Sequence, residues 1–244
     1  MSRYWLNTTE KDPVVFQQQA DSVCEVYAGA MNAAAQGEHR LSTDEMTGIQ
    51  ALERAAPTKP LRAGQVERRE FEYIRHGTQA LIANLDIATG QIVAPSIGAT
   101  RTEADFVAHI AQTIATDPEA KWTIVLDQLN THQSEALVRL VAQLCHLPDD
   151  LGVKDKSGIL KSMTSRAAFL SVPTHHIRFV YTPKHSSWLN QIEIWFSTLV
   201  RRLLKRGSFT SVDDLRHRLL DFIAFFNRTA KPYKWTYKGR PLQA

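Results

Sequence analysis

The sequence predicts an α/β fold in which helices flank a mixed β-sheet. Two strand-like runs joined by a glycine turn, at 79–86 and 91–95, predict an antiparallel hairpin. The compact apolar run at 121–127 is typical of a strand buried in the middle of a sheet. Helical and strand periodicities then alternate through the second half of the chain, which indicates a sheet covered by helices.

Composition excludes several classes of protein. The chain has 244 residues, of which 43% are hydrophobic and 22% charged, as in an ordinary globular protein rather than a disordered one. Cys24 and Cys145 lie far apart and form no disulfide or metal-ligand pattern, which favours a reducing cytoplasm. No apolar run approaches the roughly 20 residues that span a bilayer, so we expect a soluble protein without a membrane partner.

The first part of the chain predicts a helix followed by a short strand. Asp12 and Pro13 form a helix start, and apolar residues recur at helical spacing up to Gly37. A strand is expected at 41–44, with a turn directly after it at 47–48. Residues 49–70 contain two prolines and mixed polarity, so they predict a loop or irregular arm.

After the hairpin, helices and strands follow in regular order. The predicted elements are a helix at 102–116, the strand at 121–127, a helix at 134–145, a strand at 176–181, and helices at 188–205 and 211–227. Three strands, a helix and then alternation is the order of the RNase H-like fold. We expect this domain over 39–229, with an insertion at 148–175, a helical lead-in at 1–38 and a tail at 230–244.

Positive charge is concentrated at the end of the sequence. Residues 178–244 hold 13 Lys and Arg against 4 Asp and Glu, a balance of +9, whereas residues 1–177 hold 16 against 21, a balance of −5. Lysine and arginine replace counterions on phosphates, so this final quarter suits a polyanionic partner. A solvated basic face is the alternative that charge alone leaves open.

Three acidic residues lie where a sheet fold could bring them together. Asp44 ends the first predicted strand, Asp127 ends the buried one, and Glu193 lies beside the apolar face of the helix at 188–205. Singly, Asp44 could cap a turn and Asp127 the following helix, and Glu193 could pair with Arg201 or another exposed cation. Together they suit hard cations such as Mg²⁺, and a pair of such ions about 4 Å apart promotes phosphodiester chemistry.

Without a bound metal, the crowding of these acids is expected to destabilise the folded protein. Carboxylates held close together repel one another, so at least one pKa should be raised. Replacing Asp127 by Asn is then expected to leave the metal-free stability unchanged or higher.

Four sequence segments resemble DDE transposases of the mariner-like superfamily, and more narrowly the bacterial insertion sequence six-thirty family. These segments are DEMTGIQ at 44–50, ERREFEYIRHGT at 67–78, VLDQLNTH at 125–132 and YTPKHSSWLNQIEIWF at 181–196. The resemblance runs from about residue 40 to 241. It implies that an RNase H-like domain hydrolyses element ends and joins their 3′-OH groups to target DNA.

The resemblance also implies residue roles, cofactors and partners. Asp44, Asp127 and Glu193 would be catalytic and would bind two Mg²⁺ or Mn²⁺ ions. The partners would be double-stranded DNA, at element ends and target, and further copies of the chain in a homodimer or higher assembly. Such a protein is expected in the bacterial cytoplasm, associated with the nucleoid.

The chain departs from the family pattern at three places. Gln128 stands where the family usually has Asn, which predicts altered hydrogen bonding around Asp127. The interval from Asp127 to Glu193 is unusually long, and residues 148–175 account for the excess. Only about 40 residues precede Asp44, where members usually carry helix-turn-helix modules. A split or truncated gene, or end recognition supplied from elsewhere, would explain this.

Polar residues around the acids are candidates for DNA contact or support. The predicted DNA-binding residues are Lys184, His185, Ser186, Asn190, Arg201, Arg202 and Lys205. The predicted supporting residues are Gln128, Asn130 and His132. Ser186 or Ser187 could instead cap the helix at 188–205. His132 could contact DNA or orient a metal ligand, or it could be a surface cap. Two other functions stay open: a truncated DNA-binding or assembly module without catalysis, and a nuclease without strand transfer.

Overall fold

The structure, a computed structural model, describes residues 12–237 and contains one five-stranded sheet. Its strands, in chain order, are β1 (Glu38–Arg54), β2 (Tyr73–Asp86), β3 (Ile92–Gly98), β4 (Lys121–Leu126) and β5 (Ile177–Tyr181). Their spatial order is β3-β2-β1-β4-β5. β2 runs antiparallel to both β1 and β3, whereas β1, β4 and β5 are parallel. The predicted mixed RNase H-like sheet is therefore confirmed.

Seven α-helices occur in the described part of the chain. They are α1 (Pro13–Ala28), α2 (Ala30–Ala35), α3 (Glu103–Ile114), α4 (Glu135–Leu144), α5 (Met163–Leu170), α6 (Ile192–Leu199) and α7 (Val212–Asn227). Side-chain hydrogen bonds cap the N-termini of several of these helices. Thr102 and Asp105 form a capping box on α3, while Ser134 and Ser211 cap α4 and α7.

Helices cover the two faces of the sheet with separate apolar clusters. On one face α3, α4 and α5 pack around Phe106, Trp122 and Phe179. On the other face α6 and α7 enclose Trp195 and Phe209 over the antiparallel strands. On this second face of the sheet, α1 covers β4 and β5. Because helices bury both faces, β4 is apolar along nearly its whole length, as its sequence predicts.

β1 is much longer than the predicted strand at 41–44. It runs through Thr47 and Gly48, where the expected turn is instead a bulge that shifts the register with β2 between Met46 and Ile49. Gly48 has φ 65°, a backbone conformation that glycine adopts without strain. The predicted loop at 49–70 is therefore wrong in its first part. β2 likewise begins at Tyr73 rather than at 79.

Two predicted helices are interrupted. The N-terminal helix breaks at Gly29 into α1 and α2. The predicted helix at 188–205 contains a 3₁₀ turn at Ser187–Leu189, an extended Asn190, then α6 and a π-helical turn at Val200–Leu204. Local helix preferences do not predict such a break, because contacts with distant parts of the chain produce it.

The segment at 148–175 and the tail both pack onto the main body. Leu151, Leu160 and Leu170 are buried in the same cluster as β4. In the tail, Trp235 lies edge-on against Tyr27, with 4.8 Å between ring centroids. The division into lead-in, catalytic domain and tail stays a prediction. Across residues 12–237, no helix has the length and apolar content needed to cross a membrane.

Candidate active site

Asp44 lies inside β1 rather than at its end, with 9% of its surface exposed. Its Oδ1 accepts a hydrogen bond from the Glu45 backbone N–H at 2.8 Å, and its Oδ2 accepts one from Asn190 Nδ2 at 3.1 Å. The Asn190 amide also donates to the Thr43 carbonyl and accepts from the Ser42 hydroxyl. Asn190 therefore ties the entry of α6 to β1 and holds the carboxylate of Asp44.

Asp127 follows β4 directly, at the carboxyl edge of the parallel strands, as predicted. Its Oδ1 lies 2.7 Å from His132 Nδ1 and accepts a hydrogen bond from the Leu129 backbone N–H at 3.0 Å. The His132 side chain is fully buried, and its ring packs on Phe106 with 4.3 Å between centroids. Its Nε2 lies 3.1 Å from Oε1 of Glu45.

Glu193 lies in the first turn of α6 and is partly exposed. The buried hydroxyl of Tyr27, from α1, fixes the start of this helix. It donates to the Leu189 carbonyl at 2.8 Å and accepts from the Gln191 backbone N–H at 3.2 Å. The hydroxyl thus bridges the two sides of the extended residue Asn190 and sets where α6 begins.

The three acids influence one another electrostatically. Burial, and then the negative charge of Asp127, raise the pKa of Asp44 to about 7, with smaller contributions from Glu45 and Glu193. Burial and the charge of Asp127 also raise the pKa of Glu193. The expectation that crowding raises at least one pKa is confirmed. Mutual repulsion of this kind indicates that the three carboxylates occupy one region of the molecule.

His132 shifts the pKa of Asp127 downward, in the direction opposite to the shifts of Asp44 and Glu193. Burial opposes ionisation of both groups, but their hydrogen bond and opposite charges outweigh it. The pKa of Asp127 is lowered, and hydrogen bonds from His132 to Asp127 and Glu45 raise the pKa of His132 to about 10. The expectation that Asp127→Asn leaves stability unchanged or higher is therefore revised, because the substitution would leave a buried imidazolium short of a partner.

The donor chemistry of these acids fits a divalent cation. Mg²⁺ and Mn²⁺ prefer carboxylate oxygens, and the repulsion among the acids would be relieved by a positive charge between them. Over residues 12–237, no three or more His, Cys, Asp or Glu side chains lie close enough to enclose a metal ion as they stand. Binding one there would require the side chains to draw together.

An open cavity of about 540 Å³ begins at Asp127. Its walls come from the end of β4 and from the segment that joins β5 to α6, including Thr182, Pro183 and Trp188. Gln128 donates from Nε2 to the Thr182 carbonyl at 2.9 Å and so joins these two walls. The indole of Trp188 is 41% exposed, so one wall of the cavity is an accessible aromatic surface.

The predicted DNA-binding residues fall into two groups. Lys184 and His185 are exposed in the wall of the cavity, and Arg201, Arg202 and Lys205 are exposed after α6. By contrast, Ser186 and Asn190 are 2% and 1% exposed. Direct contact of Ser186 or Asn190 with DNA does not fit this burial, and the predictions for them are corrected. The Ser186 hydroxyl points to the Lys184 carbonyl rather than capping a helix.

Two residues of the site are missing from the sequence prediction. Glu45 could be suspected only as the neighbour of Asp44, and its contact with His132 depends on the folded sheet. Tyr27 acts across 162 positions of sequence separation on Leu189, which no local pattern reveals. Of the predicted supporting residues, His132 contacts Asp127 directly, Gln128 joins the cavity walls, and Asn130 is exposed at the start of a 3₁₀ turn.

Comparison with known proteins adds independent information. The family model described as DDE superfamily endonuclease matches residues 39–216. No curated protein matches the sequence. Among solved structures, the Mos1 mariner paired-end complex with Mn gives a TM-score of 0.53 at 11% identity, covering 92% of this chain and 60% of that one. The Mos1 strand transfer complex gives 0.53 at 11% identity, covering 92% and 58%.

The catalytic domain of Mos1 mariner transposase, solved alone, gives a TM-score of 0.51 at 11% identity, with 90% of this chain and 85% of that chain covered. The chain thus spans about three fifths of the longer Mos1 chains and most of the isolated domain. At this identity the likeness establishes the fold.

Proposed function

Because the chain belongs to the DDE superfamily of endonucleases, we propose that it is the catalytic domain of a DNA transposase. Its catalytic carboxylates are Asp44, Asp127 and Glu193. The observation that carries the proposal is the burial of Asp44 beside other acids: burial, and then the negative charge of Asp127, raise the pKa of Asp44 to about 7. Grouped acids with a raised pKa are typical of a functional site rather than of a site that stabilises the fold.

The cofactor in this proposal is a pair of Mg²⁺ or Mn²⁺ ions held by the three carboxylates. When bound, such ions activate the attacking oxygen and stabilise the leaving oxygen at a phosphodiester. The donor set supports this choice, as does the Mn-containing complex of the Mos1 transposase. Asn190 keeps Asp44 oriented, and His132 with the Leu129 backbone keeps Oδ1 of Asp127 in place.

DNA is the proposed substrate, at element ends and at the target. Lys184 and His185 would contact phosphates beside Asp127, while Arg201, Arg202 and Lys205 would bind the backbone further along. The paired-end complexes of Mos1 support assembly on DNA as a homodimer or larger complex. Within the DDE transposases we assign the chain to the insertion sequence six-thirty family, acting in the bacterial cytoplasm on the nucleoid.

Cleavage and joining of DNA test the proposal. Supercoiled plasmid and end-labelled duplexes with free 3′-OH groups would be incubated with Mg²⁺ or Mn²⁺, and nicking and joining products measured on gels. We expect metal-dependent nicking and joining in the parent. Asp44→Ala, Asp127→Ala and Glu193→Ala should each lower both rates by more than about 100-fold, because each loses a metal ligand.

The matched control is Glu135→Ala, which removes an acid paired with Arg139 on α4, and it should keep the parent rates. DNA affinity should change by less than about threefold in all four variants, because the basic residues remain. Nicking without joining would instead indicate a nuclease, and DNA binding without either reaction would indicate a non-catalytic module. Full activity in the three acid variants would contradict the site assignment.

A further inference from the structure

We propose that Glu45 and His132 are positioning residues that orient Asp127 for metal binding. Glu45 does so from the face of the sheet opposite to that of Asp44. The inference rests on the function proposed above, because it takes Asp127 as a catalytic carboxylate. Glu45 and His132 do not contact the reacting atoms in this proposal. They act on them through the carboxylate of Asp127.

The three side chains form a continuous chain of contacts, in which Glu45 and His132 are buried and Asp127 is partly exposed. Oε1 of Glu45 lies 3.1 Å from Nε2 of His132, and Nδ1 of His132 lies 2.7 Å from Oδ1 of Asp127. The side chains of Glu45 and His132 are 3% and 0% exposed, so water does not compete for these contacts. Each ring nitrogen of His132 therefore faces a carboxylate oxygen. The imidazole is thus fixed in one orientation.

This arrangement selects one oxygen of Asp127. The His132 ring and the Leu129 backbone N–H both meet Oδ1. The carboxylate cannot rotate without losing a charge-assisted contact, so Oδ2 is the oxygen presented to a cation. Histidine ligands of metals are commonly oriented by a carboxylate behind them. Here the order is reversed: a carboxylate orients a histidine, which orients the carboxylate expected to bind metal.

The alternation of β1 explains why Glu45 can play this part. Asp44 faces Asn190 and α6, whereas the next residue, Glu45, faces His132 on the α3 side. The backbone N–H of Glu45 also donates to Oδ1 of Asp44. Glu45 therefore contacts the carboxylate of Asp44 through its backbone N–H. It reaches the carboxylate of Asp127 only through His132, and so it links the positions of the two acids.

Mn²⁺ binding to the DNA-free protein tests the proposal apart from activity. Binding would be followed by electron paramagnetic resonance of free Mn²⁺ in the parent, in Glu45→Gln and in the control Glu135→Gln. Glu45→Gln keeps the shape of the side chain but removes the charge that secures the ring. We expect its Mn²⁺ affinity to fall about 10- to 100-fold, while the control stays within twofold. The Mn²⁺ concentration for half-maximal nicking should rise in parallel, with DNA affinity unchanged.

A double substitution shows whether Glu45 acts through His132. His132→Gln should weaken Mn²⁺ binding by itself, and adding Glu45→Gln should then change the affinity by less than twofold, because the route to Asp127 is already broken. Independent, multiplying losses would overturn the proposal. So would parental Mn²⁺ affinity in Glu45→Gln.

Further measurements distinguish failure of the positioning role from misfolding of a variant and from failure of the proposed function. Circular dichroism would establish that each variant is folded, and Glu45→Asp, which keeps the charge, replaces Glu45→Gln if the latter unfolds. Weakened Mn²⁺ binding in folded Glu45→Asp would support the proposal, and parental binding would overturn it. A parent that neither binds Mn²⁺ nor nicks DNA would instead refute the proposed function itself. Normal binding and nicking in both the parent and the Glu45 variants would refute only the positioning role.

Discussion

At the scale of single residues, Asp44 and Asp127 are acids of the same site in opposite electrostatic environments. Asp44 is buried among negative charges, and its pKa is raised to about 7. Asp127 faces His132, and its pKa is lowered despite burial. Ionisation of Asp44 therefore opposes folding of the metal-free protein, whereas ionisation of Asp127 favours it.

Isosteric substitutions should reveal these opposite signs. In the folded chain Asp44 keeps its proton up to about pH 7, whereas in the unfolded chain it loses the proton near the ordinary aspartate pKa of 3.8. The folded state thus binds more protons between these values, and stability falls as the pH rises through this window. Relative to Asp44→Asn, the parent should lose up to about 4 kcal/mol of unfolding free energy between pH 4 and pH 7.

Asp127→Asn should behave in the reverse way. The lowered pKa of Asp127 contributes stability that is present above the unfolded value and lost only in acid. Because the side chain is 37% exposed and solvent screens its charge, the variant should lose only about 1 kcal/mol at neutral pH. Urea unfolding with a chelator present, at pH 5 and pH 8, measures both variants. Equal losses in Asp44→Asn and Asp127→Asn at pH 8 would contradict the assigned environments.

At the scale of elements, the sequence predicts those parts of the molecule that local chemistry determines. The hairpin, the strand before Asp127 and the capped helices α3, α4 and α7 follow from alternation, apolar runs and capping residues. The length of β1 does not, because a bulge at Thr47 and Gly48 changes the phase of its alternation. The break at Asn190 does not either, because the distant hydroxyl of Tyr27 stabilises it.

Removing that hydroxyl should loosen the start of α6. Tyr27→Phe leaves the Leu189 carbonyl and the Gln191 N–H buried without their partner, so we expect a loss of about 1–3 kcal/mol of unfolding free energy. Amide hydrogen exchange at 189–193 should quicken, since Glu193 lies one turn from the lost contact. The control Tyr73→Phe removes the hydroxyl of a tyrosine that is 42% exposed and should change neither quantity. Unchanged exchange in Tyr27→Phe would refute this role.

At the scale of the whole molecule, charge is distributed unequally between the site and its surroundings. Asp44 lies within β1, Asp127 follows β4 and Glu193 lies on α6, while the sequence from 178 onward has a net charge of +9. Arg201 and Arg202 are exposed on the π-helical turn that follows α6. The same helix that carries Glu193 therefore ends in positive charge, which would hold a phosphate backbone near acids that otherwise repel it.

DNA binding should accordingly be sequence-tolerant and steeply dependent on salt. Related and unrelated duplexes should bind the parent with similar affinity at each of several salt concentrations. Replacing Arg201 and Arg202 together by Ala should lower the slope of log affinity against log salt by about 2, close to one unit for each lost phosphate contact. The control Arg139→Ala removes an arginine already paired with Glu135 on α4 and should keep the slope. Strong preference for one duplex would indicate a sequence-reading surface.

The bulge in β1 makes the number of residues after Asp44 as important as their identity. Before it Leu41 faces α3, and after it Ile49 and Ala51 face α6 and α7, although all three have odd numbers. Deleting one residue at the bulge would send every later side chain of β1 to the opposite face. The arm at 55–72, which forms only isolated bridges, can grow or shrink without this effect. Insertions are thus tolerated in the arm and not near the acid, so a relative with a different spacing there must also move its bulge.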